Sequence, residues 1–253
     1  MSSEETVRET GRQTGQETGE ETGVETTMDP GNAVVQLCAR GMAAEAGGRT
    51  EEARGLFLTA WEAATDDYEA CVAAHYLARH QRTPRETLHW NRECLTRADQ
   101  VGDERVRPFY ASLHGAMGRA HLDLGDVEEA RTHFASAARH LSDVPPGQYR
   151  DWVRLSVARG LRAVGGRDGG DGGDGGDGGD GTGADPVHAL LVRLCARADL
   201  DALSLLLPVW AGSLGTAEDE EAVTTALRML HAERRLPDAE QAALSEAIGA
   251  RSA

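Results

Sequence analysis

The chain contains no lysine: all 26 of its basic residues are arginine. This absence removes the Walker A lysine, the kinase ATP lysine and the Schiff-base lysine, and several large enzyme classes with them. Aromatic residues make up only 4% of the sequence. Cys38, Cys71, Cys94 and Cys195 are scattered, with no C-x-x-C pair. Buried free thiols are therefore expected rather than a disulfide framework. The first residues carry no apolar signal-peptide core. No apolar run reaches membrane-spanning length, since Leu200 to Leu214 is broken by Asp201, Ser204, Pro208 and Gly212. A cytoplasmic protein without a membrane partner is the expectation. G-x-S-x-G, H-E-x-x-H and P-loop patterns are missing too. The sequence thus names no catalytic residue and no cofactor, and an enzyme is not expected.

Negative charge is plentiful but unevenly spread. The formal net charge is −16. Residues 1–30 contribute −6 and residues 165–185 contribute −5, leaving about −5 for the rest, an ordinary surface. Without a basic stripe, the chain is a poor match for a nucleic-acid backbone.

The two acidic segments are also low in complexity. Thr-Gly recurs every four residues from Thr10 to Thr22, interleaved with Glu and Gln. A stretch so poor in apolar residues cannot offset the entropy of ordering, so residues 1–30 are read as a disordered tail. D-G-G repeats from Asp168 to Gly181. Gly-rich chain is flexible and the Asp charges extend it, which makes residues 165–185 a linker. A period of three without apolar residues does not suit a calcium-binding β-helix.

Between and after these segments the pattern is helical. Across residues 31–164 apolar positions recur at three and four, as at Val34, Leu37, Cys38 and Gly41, then Leu56, Phe57, Ala60, Trp61 and Ala64. Residues 186–250 read as a small helical bundle. Asp185-Pro186 and Asp199 open its first two helices, and Pro208 is expected to kink or end the second. Thr216 with Asp219 forms a capping-box pattern, and Pro237 suits the first turn of the last helix.

Within the first helical region a thirteen-residue block occurs twice, 77 residues apart. Gly48 to Ala60 reads GRTEEARGLFLTA and Gly125 to Ala137 reads GDVEEARTHFASA, with seven identities. Gly41, Gly48, Ala53, Phe57 and Ala60 in one copy correspond to Gly118, Gly125, Ala130, Phe134 and Ala137 in the other. A more divergent unit lies between them. Arg82-Thr83 aligns with Arg49-Thr50, Ala74 takes the small-residue position and Trp90 stands near the Phe position. The charged stretch Val101 to Tyr110 is surplus.

This pattern resembles the tetratricopeptide repeat (TPR) family, in which a helix-turn-helix unit of about 34 residues carries small residues, a turn glycine and A-x-x-x-F-x-x-A in its second helix. The likeness is closest in the second helix. In the first, Leu37 and His114 stand at the family's aromatic position, and Ala44 and His121 at its tyrosine. The resemblance implies an all-α fold. Three helix-turn-helix repeats and a capping helix at 148–163 would form a short TPR-like solenoid, joined by the Gly/Asp linker to the bundle.

The resemblance further implies a concave groove lined by first helices. Carried over position by position, the groove holds Val35, Cys38, Met42 and Glu45. The second repeat adds Tyr68, Cys71, His75, Ala78 and Arg79, and the third Ser112, Gly115, Arg119, Leu122 and Asp123. Glu45, Tyr68, His75, Arg79, Arg119 and Asp123 are the candidate partner-binding residues. The implied partner is another protein or peptide. Lys and Asn are missing from the positions of the family's chaperone-binding clamp, so that ligand is not expected. His75, His80 and His89 are near one another in sequence, but His75 and His80 are five apart and do not share a helix face, so no metal site is expected. A regulatory sensor of a short signalling peptide or small molecule is the alternative function, and an enzyme acting through the C-terminal bundle is third.

Overall fold

In the computed structural model of this protein the described residues are 31–165 and 185–252. The Thr-Gly tail and almost all of the Gly-Asp linker lie outside them. The described residues form eleven α-helices and one 3-10 turn at Leu141–Asp143, with no strand among them. The first seven helices are α1 (Ala33–Ala46), α2 (Thr50–Ala63), α3 (Asp67–Arg79), α4 (Pro84–Val101), α5 (Arg107–Leu124), α6 (Val127–Arg139) and α7 (Gln148–Gly165). The last four are α8 (Pro186–Ala196), α9 (Leu200–Ala211), α10 (Ala217–Glu233) and α11 (Asp238–Ser252).

Local chemistry sets the helix ends. The Asn32 side chain accepts from the amides of Val34 and Val35 and opens α1. Thr83 and Glu86 form a reciprocal capping box at α4, with Pro84 in its first turn, and Gly102 closes that helix in the left-handed conformation. Thr216 and Asp219 form a second capping box at α10. Asp185 and Asp199 cap α8 and α9. Pro208 does not end α9, which continues to Ala211. Pro237 stands just before α11 rather than in its first turn, and its carbonyl accepts from Glu240 and Gln241.

The strongest packing pairs α1 with α2, α3 with α4, and α5 with α6; each pair then packs on the next helix in sequence. The two copies of the duplicated block build the same local structure. Gly48 has φ +73° and Gly125 has φ +87°, the left-handed turn for which glycine is suited. Phe57 and Phe134 are both fully buried. Phe57 lies against Gly41, where a Cβ would overlap its ring, and a Cβ at Gly118 would come within 2.9 Å of Phe134. On its other side Phe57 stacks on Tyr76 of α3 at 4.9 Å, while Phe134 meets Gly160 of α7. Each phenylalanine therefore sits between the first helix of its own pair and the helix that follows.

The middle pair is held differently. Cys71, Ala74, Cys94 and Ala98 are completely buried between α3 and α4, next to Val106 and Leu113. The Cys71 and Cys94 sulfurs are 3.6 Å apart. The buried Glu69 carboxylate accepts from the amide of Thr65 at 2.7 Å and from its hydroxyl at 2.8 Å, and also binds the Asn32 side chain. It joins the start of α3 to the cap of α1.

α7 carries two apolar lines. Val153, Val157 and Val164 are buried, but Tyr149, Trp152 and Leu155 stand exposed along an adjacent line. Its outer side is not simply polar either, because α9 packs against it. Arg162 donates to the carbonyls of Trp210 and Ala211, and Arg154 donates to Gly212 at 2.9 Å. These carbonyls belong to the C-terminal end of α9, where helical acceptors lack intrahelical donors and a cation is favoured. The C-terminal helices share one core, with Leu190, Leu194, Leu206, Leu227 and Leu244 completely buried.

Candidate functional site

The six candidate partner-binding residues fall into three settings. Glu45 at the end of α1 and Arg79 at the end of α3 are bonded to each other, Nη2 to Oε1 at 2.7 Å. Arg79 is half exposed, with 50% of its side chain accessible, but its charge is already matched. Tyr68 is buried, with the Arg105 guanidinium 4.4 Å above its ring. It packs with Cys71 and Leu113 rather than lining an open surface. His75 is partly buried one turn before Arg79, against Phe109 of α5 at 5.1 Å and edge-on to Tyr76. Burial, reinforced by the Arg79 charge, pushes His75 down to about 4, so its imidazole is neutral near pH 7.

Arg119 and Asp123 come together at a separate place. Both line a cavity of about 220 Å³ between the α3–α4 turn and the C-terminal half of α5, with Gln81, Thr83, Thr87 and Ala116 on its walls. Arg119 is partly buried, and its Nη2 is enclosed without a hydrogen-bond partner among the described residues. Asp123 is exposed. Of the remaining groove positions, Cys38, Cys71, Ala78, Gly115 and Leu122 are buried, Val35 and Ser112 are partly so, and Met42 is exposed.

The sequence reading missed three features. Tyr76 stacks on Phe57, and burial holds its hydroxyl above the usual range, with Tyr149 of α7 close enough to add to the effect. Tyr149 and Trp152 stack on each other at 6.3 Å, and Trp152 is 64% exposed. An aromatic at i and i+3 on a helix with a separate valine line was a readable sign of a second apolar face. Gln81 of the α3–α4 turn and Thr87 of α4 border the Arg119 cavity, and no local pattern encodes their closeness to α5.

A column of imidazoles lies between α5 and α6. His114 and His133 meet through their Nδ1 atoms at 2.9 Å. His121 stacks on His133 at 5.3 Å and His140 on His114 at 6.0 Å, with Tyr110 beyond His140. The outer members are held by carboxylates, His121 by Asp126 and His140 by Asp143. Burial, then the neighbouring His133, His140 and Arg139, push His114 down to about 4 despite Asp99. No cluster of three or more His, Cys, Asp or Glu able to hold a metal is present among the described residues, and no helix there is long and apolar enough to cross a membrane. In comparisons with protein-family models, curated proteins and solved structures, nothing matches this chain.

Proposed function

We propose that residues 31–165 form a TPR-like solenoid of three helix pairs closed by α7, and that the protein is an interaction module holding a partner segment in the concave groove. The observation that carries this reading is the equivalence of Phe57 and Phe134. In each copy the ring is fully buried against the glycine of its own first helix and reaches the next helix along. Units that each leave an apolar face for the next stack as an array, and the inner surface of such an array accepts an extended chain.

Two further features support recognition of a protein or peptide. The exposed Tyr149–Trp152 pair offers the rigid aromatic area typical of binding anchors. Arg119 provides an unmatched cation beside a cavity. The free-thiol and charge patterns fit a cytoplasmic setting without nucleic acid. The test is affinity capture with the full chain, followed by mass spectrometry. A partner retained by the unmodified protein and by Arg54→Glu, but lost from Trp152→Ala and Arg119→Glu, supports the groove. Equal retention by all four proteins contradicts it.

A further inference from the structure

Two of the candidate partner-binding residues, Arg79 and Arg119, are arginines, and the structure gives them different surroundings. Arg79 is engaged by Glu45 at 2.7 Å. Arg82, on the rim of the same cavity as Arg119, is engaged by Glu51 at 2.6 Å. Arg119 alone of the three has no hydrogen bond or ion pair among the described residues, and one of its terminal nitrogens is enclosed. A cation withdrawn from water without a counter-charge is an unfavourable arrangement unless something else completes it.

We propose that the cavity between the α3–α4 turn and α5 binds a carboxylate of the partner segment through the Arg119 guanidinium. This deepens the groove reading and rests on it. The guanidinium fork presents parallel N–H donors that match the two oxygens of a carboxylate. Thr87 lines the same wall. Its amide and carbonyl are used inside α4, by Thr83 O and Asn91 Nδ2, which leaves its hydroxyl to donate to the ligand. A volume of about 220 Å³ suits an acidic side chain or a terminal residue and is small for a nucleotide. Asp123, one turn beyond Arg119 and at the cavity edge, sets the charge selectivity. It repels a dianionic phosphate more than a monoanionic carboxylate.

The test uses fluorescent, N-acetylated random octapeptide pools and the full chain, read by polarisation. One pool lacks Asp and Glu and ends in a free carboxylate. The second is the same pool amidated, and the third is amidated but contains Asp and Glu. Acetate is the free small acid, read by its competition with each pool and by the shift of the Arg119 Nε–H resonance. Preference for the first pool over the second, by about tenfold, identifies a terminal carboxylate. Preference for the third over the second identifies an acidic side chain, and a response to acetate alone identifies a small acid. Each preference should fall about tenfold in Arg119→Gln, with the melting temperature unchanged or raised because an unmatched charge is gone. If Arg119→Gln fails to fold, Thr87→Val reads the same site with a smaller loss. Equal binding of all pools, or a preference that survives Arg119→Gln and Thr87→Val, overturns the carboxylate site. Equal binding that is nevertheless lost in Trp152→Ala leaves the groove reading standing, so the two failures are distinguishable.

Discussion

Arg154 of α7 and Asp219 of α10 form an ion pair, and the same Arg154 donates Nε to the Gly212 carbonyl at 2.9 Å. Asp219 also closes the capping box of α10 and accepts from the Leu214 amide at 2.9 Å. Burial raises its pKa, but these hydrogen bonds and the Arg154 charge outweigh that effect and leave it below the usual carboxylate range. One carboxylate thus ties a local helix start to the junction between the seven-helix array and the C-terminal helices. Replacing Arg154 and Arg162 together by methionine should cost about 1–2 kcal/mol at this junction. Calorimetry should then resolve two transitions where the unmodified chain gives one. A single unchanged transition in the double variant would show that the arginines do not join the halves.

The glycines beneath Phe57 and Phe134 provide a second prediction. Gly118→Ala places a methyl 2.9 Å from the Phe134 ring. Overpacking of this kind costs about 1–3 kcal/mol, read as a lower urea midpoint. Gly41→Ala should cost at least as much, because the Phe57 ring is closer still. Gly55 is helical with open space around its Cβ position, so Gly55→Ala should stabilise by roughly 0.5–1 kcal/mol. Three similar effects would deny that the two phenylalanines are equivalent wedges.

The Asp185 and Asp199 caps, the Thr216–Asp219 box and the duplicated block were legible in the sequence because they depend on neighbours within a few residues. Such caps act two or three positions away and the Gly41–Phe57 spacing lies inside one helix pair, whereas Pro208 and Pro237 did not mark the helix boundaries expected of them. What escaped sequence reading depends on pairing across long separations. Glu45 meets Arg79, Cys71 meets Cys94, and Arg154 meets Gly212, each through packing angles that periodicity does not contain. Four of the candidate residues, Glu45, Arg79, Arg119 and Asp123, lie toward the C-terminal ends of first helices. Tyr68 is buried beneath Arg105, which arrives from the surplus stretch before α5, a contact of which its helix position says nothing.

The histidine column makes stability pH-dependent. His114 is lowered to about 4, first by burial and then by His133, His140 and Arg139; His133 is lowered by burial and His121, with Glu129 opposing. His75 is also lowered to about 4. An unfolded histidine titrates near 6.5, so between about pH 6.5 and 4 the unfolded chain binds more protons. Stability is therefore full above about 6.5 and is lost as pH falls through that window. After allowance for solvent screening at the half-exposed His114, its share is on the order of 1 kcal/mol. His114→Gln should flatten this part of the curve. An unchanged slope would mean that the His114–His133 contact at 2.9 Å does not discriminate protonation states.

The cysteines should divide by accessibility. Cys38, Cys71 and Cys94 are buried, and Cys195 is exposed. Burial pushes the Cys38 thiol up to about 12, and its hydrogen bond to Cys71 and its burial hold Cys94 well above the usual thiol range. A disulfide-exchange reagent added to the folded chain at pH 8 should consume one thiol quickly and the other three only on unfolding. Rapid reaction of a second thiol would place one of the three at the surface.

Position-specific photocrosslinking tests the groove itself. p-Benzoylphenylalanine replaces Ala116, beside the Arg119 cavity, or Thr132, on the exposed side of α6, in the full chain. Irradiation in an extract of the native cells is followed by mass spectrometry of the adducts. A partner segment linked through position 116 and absent from position 132, with the 116 adduct lost in Trp152→Ala, is the predicted result. Adducts through position 132 alone would contradict binding in the groove.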